Sequence, residues 1–186
     1  MDLMRLFLGV PCPKPVALEL AEAFQELEVI EGLKTVGVGN YHITVKFIGD
    51  EGLDFCSRLD SGLQRMLPVV GPLQLKLKHV GVFPNMGNPR IIWGGIRPRG
   101  ELIELNEAVE NITADLGIKK EKRDYHPHVT IGRLKKPPAD KHLLVNWLKK
   151  YGSEEFGKFQ ASHLVLYESD LTPEGPVYKE VMKWPI

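Results

Sequence analysis

Cysteine is nearly missing from this chain: Cys12 and Cys56 are its only two among 186 residues, and no Cys-x-x-Cys pair occurs. That excludes a disulfide-stapled scaffold and leaves nothing to suggest a thiolate zinc or redox centre. A reducing, cytoplasmic setting is the expectation. Charge of one sign is missing too. Lys plus Arg number 24 and Asp plus Glu number 24, so net charge names no partner and only local clusters can. Long apolar runs are absent. The N-terminal "LMRLFLGV" is ended by Pro11 and Pro13, too short for a bilayer span and without the cleavage site of a secretory leader. No membrane association is expected. No Gly-rich loop ends in Lys-Ser or Lys-Thr, and no Gly-x-Ser-x-Gly elbow occurs. A P-loop triphosphatase and a serine-elbow hydrolase are therefore both disfavoured.

What is present is ordinary globular material, 43% hydrophobic and 26% charged, long enough for one large domain or two small lobes sharing a core. Apolar residues change period along the chain. "LMRLFLGV" (3–10) reads as a strand, and Val16, Leu20, Phe24 and Leu27 then fall on one helical face that opens after Pro15 and stops near Gly32. "HITVKFIG" (42–49) is a strand, and Phe55, Leu59, Leu63 and Met66 mark a second helix. "LQLKLKHV" (73–80) alternates, with Gln74, Lys76 and Lys78 on its polar face, and the turn "PNMGNP" joins it to "RIIWGGI" (90–96) as a hairpin. Leu102, Leu105, Val109, Ile112 and Leu116 form a third helix stopped by Gly117. "HVTIGRL" (128–134), a helix carrying Leu143 to Tyr151, and strands 162–169 and 177–184 around "LTPEGP" complete the chain. The order helix, strand, helix, strand, strand occurs twice. We expect an α+β fold over residues 1–186, a single bilobal domain. Two pseudo-symmetric lobes with largely antiparallel sheets would flank a central groove, helices outside.

The same polar pair is written twice, half a chain apart: His42-Ile-Thr44 and His128-Val-Thr130. Strand side chains alternate faces, so each pair points one way, about 7 Å apart along its strand. Simple alternation adds Lys46 to the first face and puts Arg133 on the wrong side of the second, unless a bulge intervenes. One His-x-Thr is more often a structural histidine on a chance polar face; two of like parity are far more specific. Two imidazoles can divide between one neutral and one protonated member near neutral pH, and two hydroxyls can hold phosphate oxygens. Phosphodiester hydrolysis needs that set: a base for water, an acid for the leaving oxygen, and no metal or other cofactor. Which histidine takes which role is open at this level. His126-Pro-His128 lacks supporting metal ligands, and His79, His142 and His163 read as surface or packing residues. Lys119, Lys120, Lys122, Arg123, Arg133, Lys135 and Lys136 surround the second pair. Taken alone this is a solvated face; beside candidate acid–base histidines it suits an RNA backbone. Tyr125 is a candidate base-stacking ring and Arg133 a candidate phosphate clamp.

These blocks resemble a known family. "MRLFLGV", "NYHITVKFIGD", "RIIWGGI", "YHPHVTIGRLK" and "LYESDLTPEGPVYKEV" are similar, in that order, to the RNA 2′,3′-cyclic phosphodiesterases, also called 2′-5′ RNA ligases, of the two-histidine phosphoesterase superfamily. The resemblance implies a groove holding one His-x-Thr from each lobe and hydrolysis of RNA 2′,3′-cyclic phosphate ends to 2′-phosphomonoesters. It implies His42 as proton donor to the 3′ oxygen, His128 as the base for water, and Thr44 and Thr130 as phosphate holders. Arg133, Tyr125, Arg123 and Lys46 are the candidate substrate-binding residues. RNA ends, tRNA fragments among them, are the expected partners of a monomer. Two alternatives stand beside hydrolysis: a module that only grips RNA ends, and 2′-5′ joining of tRNA halves.

Overall fold

Segments of period two and period 3.6 become strands and helices where the pattern places them, and the arrangement of the strands brings the two His-x-Thr pairs together. The structure, a computed structural model, describes residues 3–67, 71–172 and 175–186. Along the chain run β1 (Met4–Pro11), α1 (Lys14–Phe24), β2 (Leu33–Thr35), β3 (His42–Glu51), α2 (Leu53–Met66), β4 (Leu73–Phe83) and β5 (Ile91–Arg97). They continue with α3 (Gly100–Asp115), β6 (His128–Leu134), α4 (His142–Tyr151), β7 (Glu155–Ala161), β8 (His163–Thr172) and β9 (Gly175–Pro185). Pro15 in the first turn of α1 gives up no needed N–H. After Phe24 the helix tightens into a 3₁₀ turn, Gln25–Leu27, that still buries Leu27. α3 ends as Gly117 predicts: Ile118 N–H donates to Thr113 C=O (2.9 Å) and Gly117 N–H to Ala114 C=O (2.9 Å). The turn expected in "LTPEGP" lies partly outside the described residues.

The strands form one antiparallel sheet in the order β7-β4-β5-β6-β3-β1-β8-β9, with β2 on β6. Strands β6, β5, β4 and β7 make one lobe, against which α1 and α4 pack; β3, β1, β8 and β9 make the other, covered by α3 with α2 behind it. The lobes are not the two halves of the chain. In β1-α1-β2-β3-α2-β4 and again in β5-α3-β6-α4-β7-β8, the first strand lies beside the histidine strand and the last crosses to the other lobe; among the described residues β2 and β7 have no counterpart in the other repeat. The apolar faces of the helices close on the sheet in one cluster that includes Leu20, Phe24, Ile43, Leu59, Leu105, Val129 and Trp147. Phe7, Val165 and Tyr167 form a second cluster.

Two bulges occur at equivalent places. Pairing of β1 with β3 skips Val45, and pairing of β5 with β6 skips Ile131. Each extra residue reverses the alternation after it. In β3, Val45 and Lys46 are both buried and Phe47 is exposed; in β6, Ile131 and Gly132 are both buried and Arg133 is exposed. The doubled buried position is accommodated differently in the two copies. A side chain at Gly132 would put its Cβ 2.6 Å from Phe24 Cζ. At the equivalent site Lys46 reaches between elements to Glu110 (2.7 Å) and the Lys119 carbonyl (2.8 Å), and the Val45 carbonyl accepts from Asn106 Nδ2 (2.8 Å).

Candidate active site

Strands β3 and β6 meet through one pair, Ile43 opposite Val129, both fully buried toward the helices. Their sequence neighbours point to the other face. The antiparallel register therefore sets His42 across from Thr130 and Thr44 across from His128. Each histidine is the diagonal neighbour of the other, roughly 7–8 Å away at the backbone. The expected common groove is thus the shared face of two adjacent strands at the seam between lobes.

The two imidazoles are held in the same way. His42 Nδ1 lies 2.7 Å from the carbonyl of Asn40, and His128 Nδ1 lies 2.6 Å from the carbonyl of His126. A carbonyl only accepts, so each Nδ1 carries the proton and Nε2 is left able to accept or give one. Thr44 Oγ1 sits 3.1 Å from His42 Nε2 and donates to it while that nitrogen is unprotonated. Aromatic rings wall both sites: Phe7 (4.8 Å between centroids), Tyr178 (5.1 Å) and Tyr167 (5.9 Å) about His42, Phe83 (5.0 Å) and Trp93 (6.2 Å) about His128.

This setting favours the neutral imidazoles. Burial pushes His42 down to about 4, opposed by the bond to Asn40 and helped by repulsion from His128 and Arg133. Burial also lowers His128, opposed by the His126 carbonyl and helped by Arg133 and His126. His42 feels the charge of His128, and both rings feel Arg133. The bulge at Ile131 is what turns Arg133 onto their face, the condition that simple alternation left unmet.

The other candidates are placed differently. Lys46 does not share the face of His42 and Thr44. The bulge at Val45 turns it into the interior, 5% exposed and ion-paired with Glu110. It is a structural cation, not a groove residue. Tyr125 packs partly against the core and its hydroxyl donates to the Thr44 carbonyl (2.9 Å). Burial raises its pKa. It ties the loop before β6 to β3 rather than offering a free ring. Arg123 is exposed on that loop, where its backbone N–H bonds Glu121 Oε1. Phe47 was missed in the sequence. It stands where β6 has Arg133, 69% exposed and 6.0 Å from Phe7. Phe7, Phe83, Trp93, Tyr167 and Tyr178, which the sequence pattern does not assign to the site, come from β1, β4, β5, β8 and β9. Among the described residues no group of three or more His, Cys, Asp or Glu side chains could hold a metal ion. No helix of the described residues is long and apolar enough to cross a membrane.

Arrangement and sequence agree with known proteins. A family model described as the 2′-5′ RNA ligase superfamily matches residues 16–173, which include both histidine strands. A Methanocaldococcus jannaschii protein named RNA 2′,3′-cyclic phosphodiesterase is 40% identical over 97% of this chain and 100% of its own. One of the same name from Archaeoglobus fulgidus is 33% identical over 96% of this chain and 98% of its own. Among solved structures, a protein of Thermus thermophilus superposes with a TM-score of 0.82 at 26% identity, covering 98% of this chain and 97% of its own. E. coli LigT in apo form shares the fold with a TM-score of 0.75 at 22% identity, over 100% and 98%. By the family model and by relatives alike over nearly their whole length, the chain belongs to the 2′-5′ RNA ligase superfamily.

Proposed function

We propose that this protein hydrolyses 2′,3′-cyclic phosphate ends of RNA to 2′-phosphomonoesters, with His42 and His128 as a metal-independent acid–base pair. The observation that carries the reading is the Ile43–Val129 register, which sets two Nδ1-anchored imidazoles diagonally about one point. The names of the archaeal relatives support the substrate class. In the reaction, His128 Nε2 takes a proton from water as the water oxygen bonds to phosphorus. The bond from phosphorus to the 3′ oxygen breaks on the opposite side, and His42 Nε2–H gives that oxygen its proton. The product carries a 2′-phosphate and a 3′-hydroxyl, and solvent exchange restores the two rings. Thr44, Thr130 and Arg133 donate to the non-bridging oxygens, where charge accumulates. Phe47 supplies the exposed ring for the terminal base that Tyr125 does not. The RNA ends of a reducing cytoplasm, tRNA fragments among them, are the substrates this reading implies.

The test is incubation of an oligonucleotide ending in a 2′,3′-cyclic phosphate with the protein in excess chelator. A 2′-phosphate product is expected, with His42→Ala and His128→Ala each lowering the rate by about 10²–10⁴. Near-full activity in both variants, or binding without turnover in the wild type, would overturn it.

A further inference from the structure

One cluster of charged groups is not used by this chemistry. On β5, Trp93 lies opposite Thr130 and Gly95 opposite His128, so Trp93, Gly95 and Arg97 continue the catalytic face outward at steps of about 7 Å. Lys76 of β4 lies opposite Arg97 on that same face. Next to this pair β4 bulges between Leu77 and Val80, and His79 adopts φ 58°, a left-handed conformation uncommon for a residue with a side chain. The bend lays the His79 ring over Gly95, where an added Cβ would fall 2.2 Å from the ring, and against Trp93 at 5.6 Å. The strand residue beside His128 therefore has to be glycine for the ring to lie there. Beyond it opens a cavity of about 580 Å³ lined by Lys76, Lys78, His79, Arg97, Pro98, Gly152 and Ser153. Burial and the charges of Arg97, Arg99 and Lys78 hold His79 down to about 4, so three cations converge on one neutral ring. Lys76 is shared with Glu155 at 3.9 Å; among the described residues neither Lys78 nor Arg97 has a carboxylate partner. On the other lobe, the strand position across from Tyr167 is Glu180.

We infer that this pocket is a phosphate subsite for the RNA strand upstream of the cyclic end, so that the chain leaves the histidine pair across Trp93 and His79 and sets a backbone phosphate against Lys78 and Arg97. The inference rests on the proposed function and extends it from the reacting end to an oligonucleotide substrate. Arg97 lies one strand step beyond Gly95, a distance that one or two extended nucleotides span. Apolar rings followed by cations without carboxylate partners suit stacked bases and then phosphate, although Arg97 Nη1 already donates to the Ile96 carbonyl (2.9 Å).

The test compares a cyclic-phosphate mononucleotide with a hexanucleotide ending in the same group, in wild type and in Lys78→Gln, Arg97→Gln and the double variant. The double variant should raise KM for the hexanucleotide about tenfold or more at low salt and leave its kcat within twofold. The slope of log(kcat/KM) against log salt should become shallower by about 0.7 per cation removed. Mononucleotide kinetics should stay at wild-type values, which also shows that the variant is folded. An unchanged hexanucleotide KM, or an equal loss on both substrates, overturns the subsite. If the wild type turns over neither substrate, the catalytic reading fails, and anisotropy of the labelled hexanucleotide decides the pocket. Weaker binding by the double variant supports it; equal binding, or preferential capture of an oligoglutamate peptide, overturns it.

Discussion

At the scale of single residues, the proposed chemistry turns on where each imidazole keeps its fixed proton. Asn40 and His126, each two positions before its histidine, offer a carbonyl to Nδ1, so Nε2 of both rings faces the groove with the same options. The free protein holds both rings neutral, His42 down to about 4 and His128 below its ordinary 6.5. The acid needed for catalysis is therefore scarce at pH 7 until an anion arrives. A cyclic phosphate monoanion between the rings favours their charged forms and raises both pKa values. Because kcat/KM reports the free protein and kcat the complex, the two profiles should separate. Both inflections of kcat/KM should fall below 6.5, and the kcat optimum should lie at higher pH. The inflections belong to the pair and not to either ring alone. Coincident profiles centred above pH 7 would contradict the burial of these imidazoles.

At the scale of elements, the two bulged strands show what pattern reading can reach. Both His-x-Thr faces were legible because period two holds from His42 to Thr44 and from His128 to Thr130. It fails two residues later in each strand, at Lys46 and Gly132, and nothing in "TVKF" or "TIGR" marks the failure. Gly132 is the nearest thing to a signal, since a strand glycine often attends a bulge. Lys46 gave the opposite signal, because a lysine in a half-polar strand reads as solvent-facing. Its burial depends on Glu110, a residue that the helical stripe of α3 left on its polar side. β7 was passed over for a similar reason: Phe156, Phe159 and Ala161 are buried, but Gly157 at φ 147° breaks the alternation between the phenylalanines. The Lys46–Glu110 pair ties β3 to α3 at the bulge, and we expect it to secure the bulged register. Glu110→Leu leaves an unpaired buried cation and should cost about 3–5 kcal/mol in urea unfolding. Lys46→Met/Glu110→Leu should recover only part of it, because the Glu121 N–H (3.2 Å from Glu110) loses its acceptor in both variants and the Lys119 carbonyl loses its donor in the double one. If the single variant matched the wild type in stability, the pair would not be what secures the bulge.

At the scale of the whole molecule, the order of the sheet explains why two matched motifs far apart in sequence end as neighbours. Each repeat sends its last strand into the opposite lobe, so β4 joins β5 and β6 while β8 joins β1 and β3. Neither lobe can be assembled from one half of the chain. Residues 1–99 contain β1 with β3 and β4 with β5, but β6, the strand that links these two pairs, is in the other half. Residues 100–186 contain β6 and β7 with no β5 or β4 to lie between them. Each fragment would leave Ile43 or Val129, both fully buried in the intact protein, without its partner and with apolar strand faces uncovered. This exchange of strands binds stability to the proposed catalysis, because the pairing that closes the core also sets the spacing of the histidines. Expressed separately, the fragments should show no cooperative urea transition by circular dichroism. Mixed during refolding, they should regain a transition and hydrolytic activity together. A fragment that unfolded cooperatively alone would show that its lobe is self-sufficient, and the seam between lobes would then be a docking contact between two folded bodies and not the centre of one.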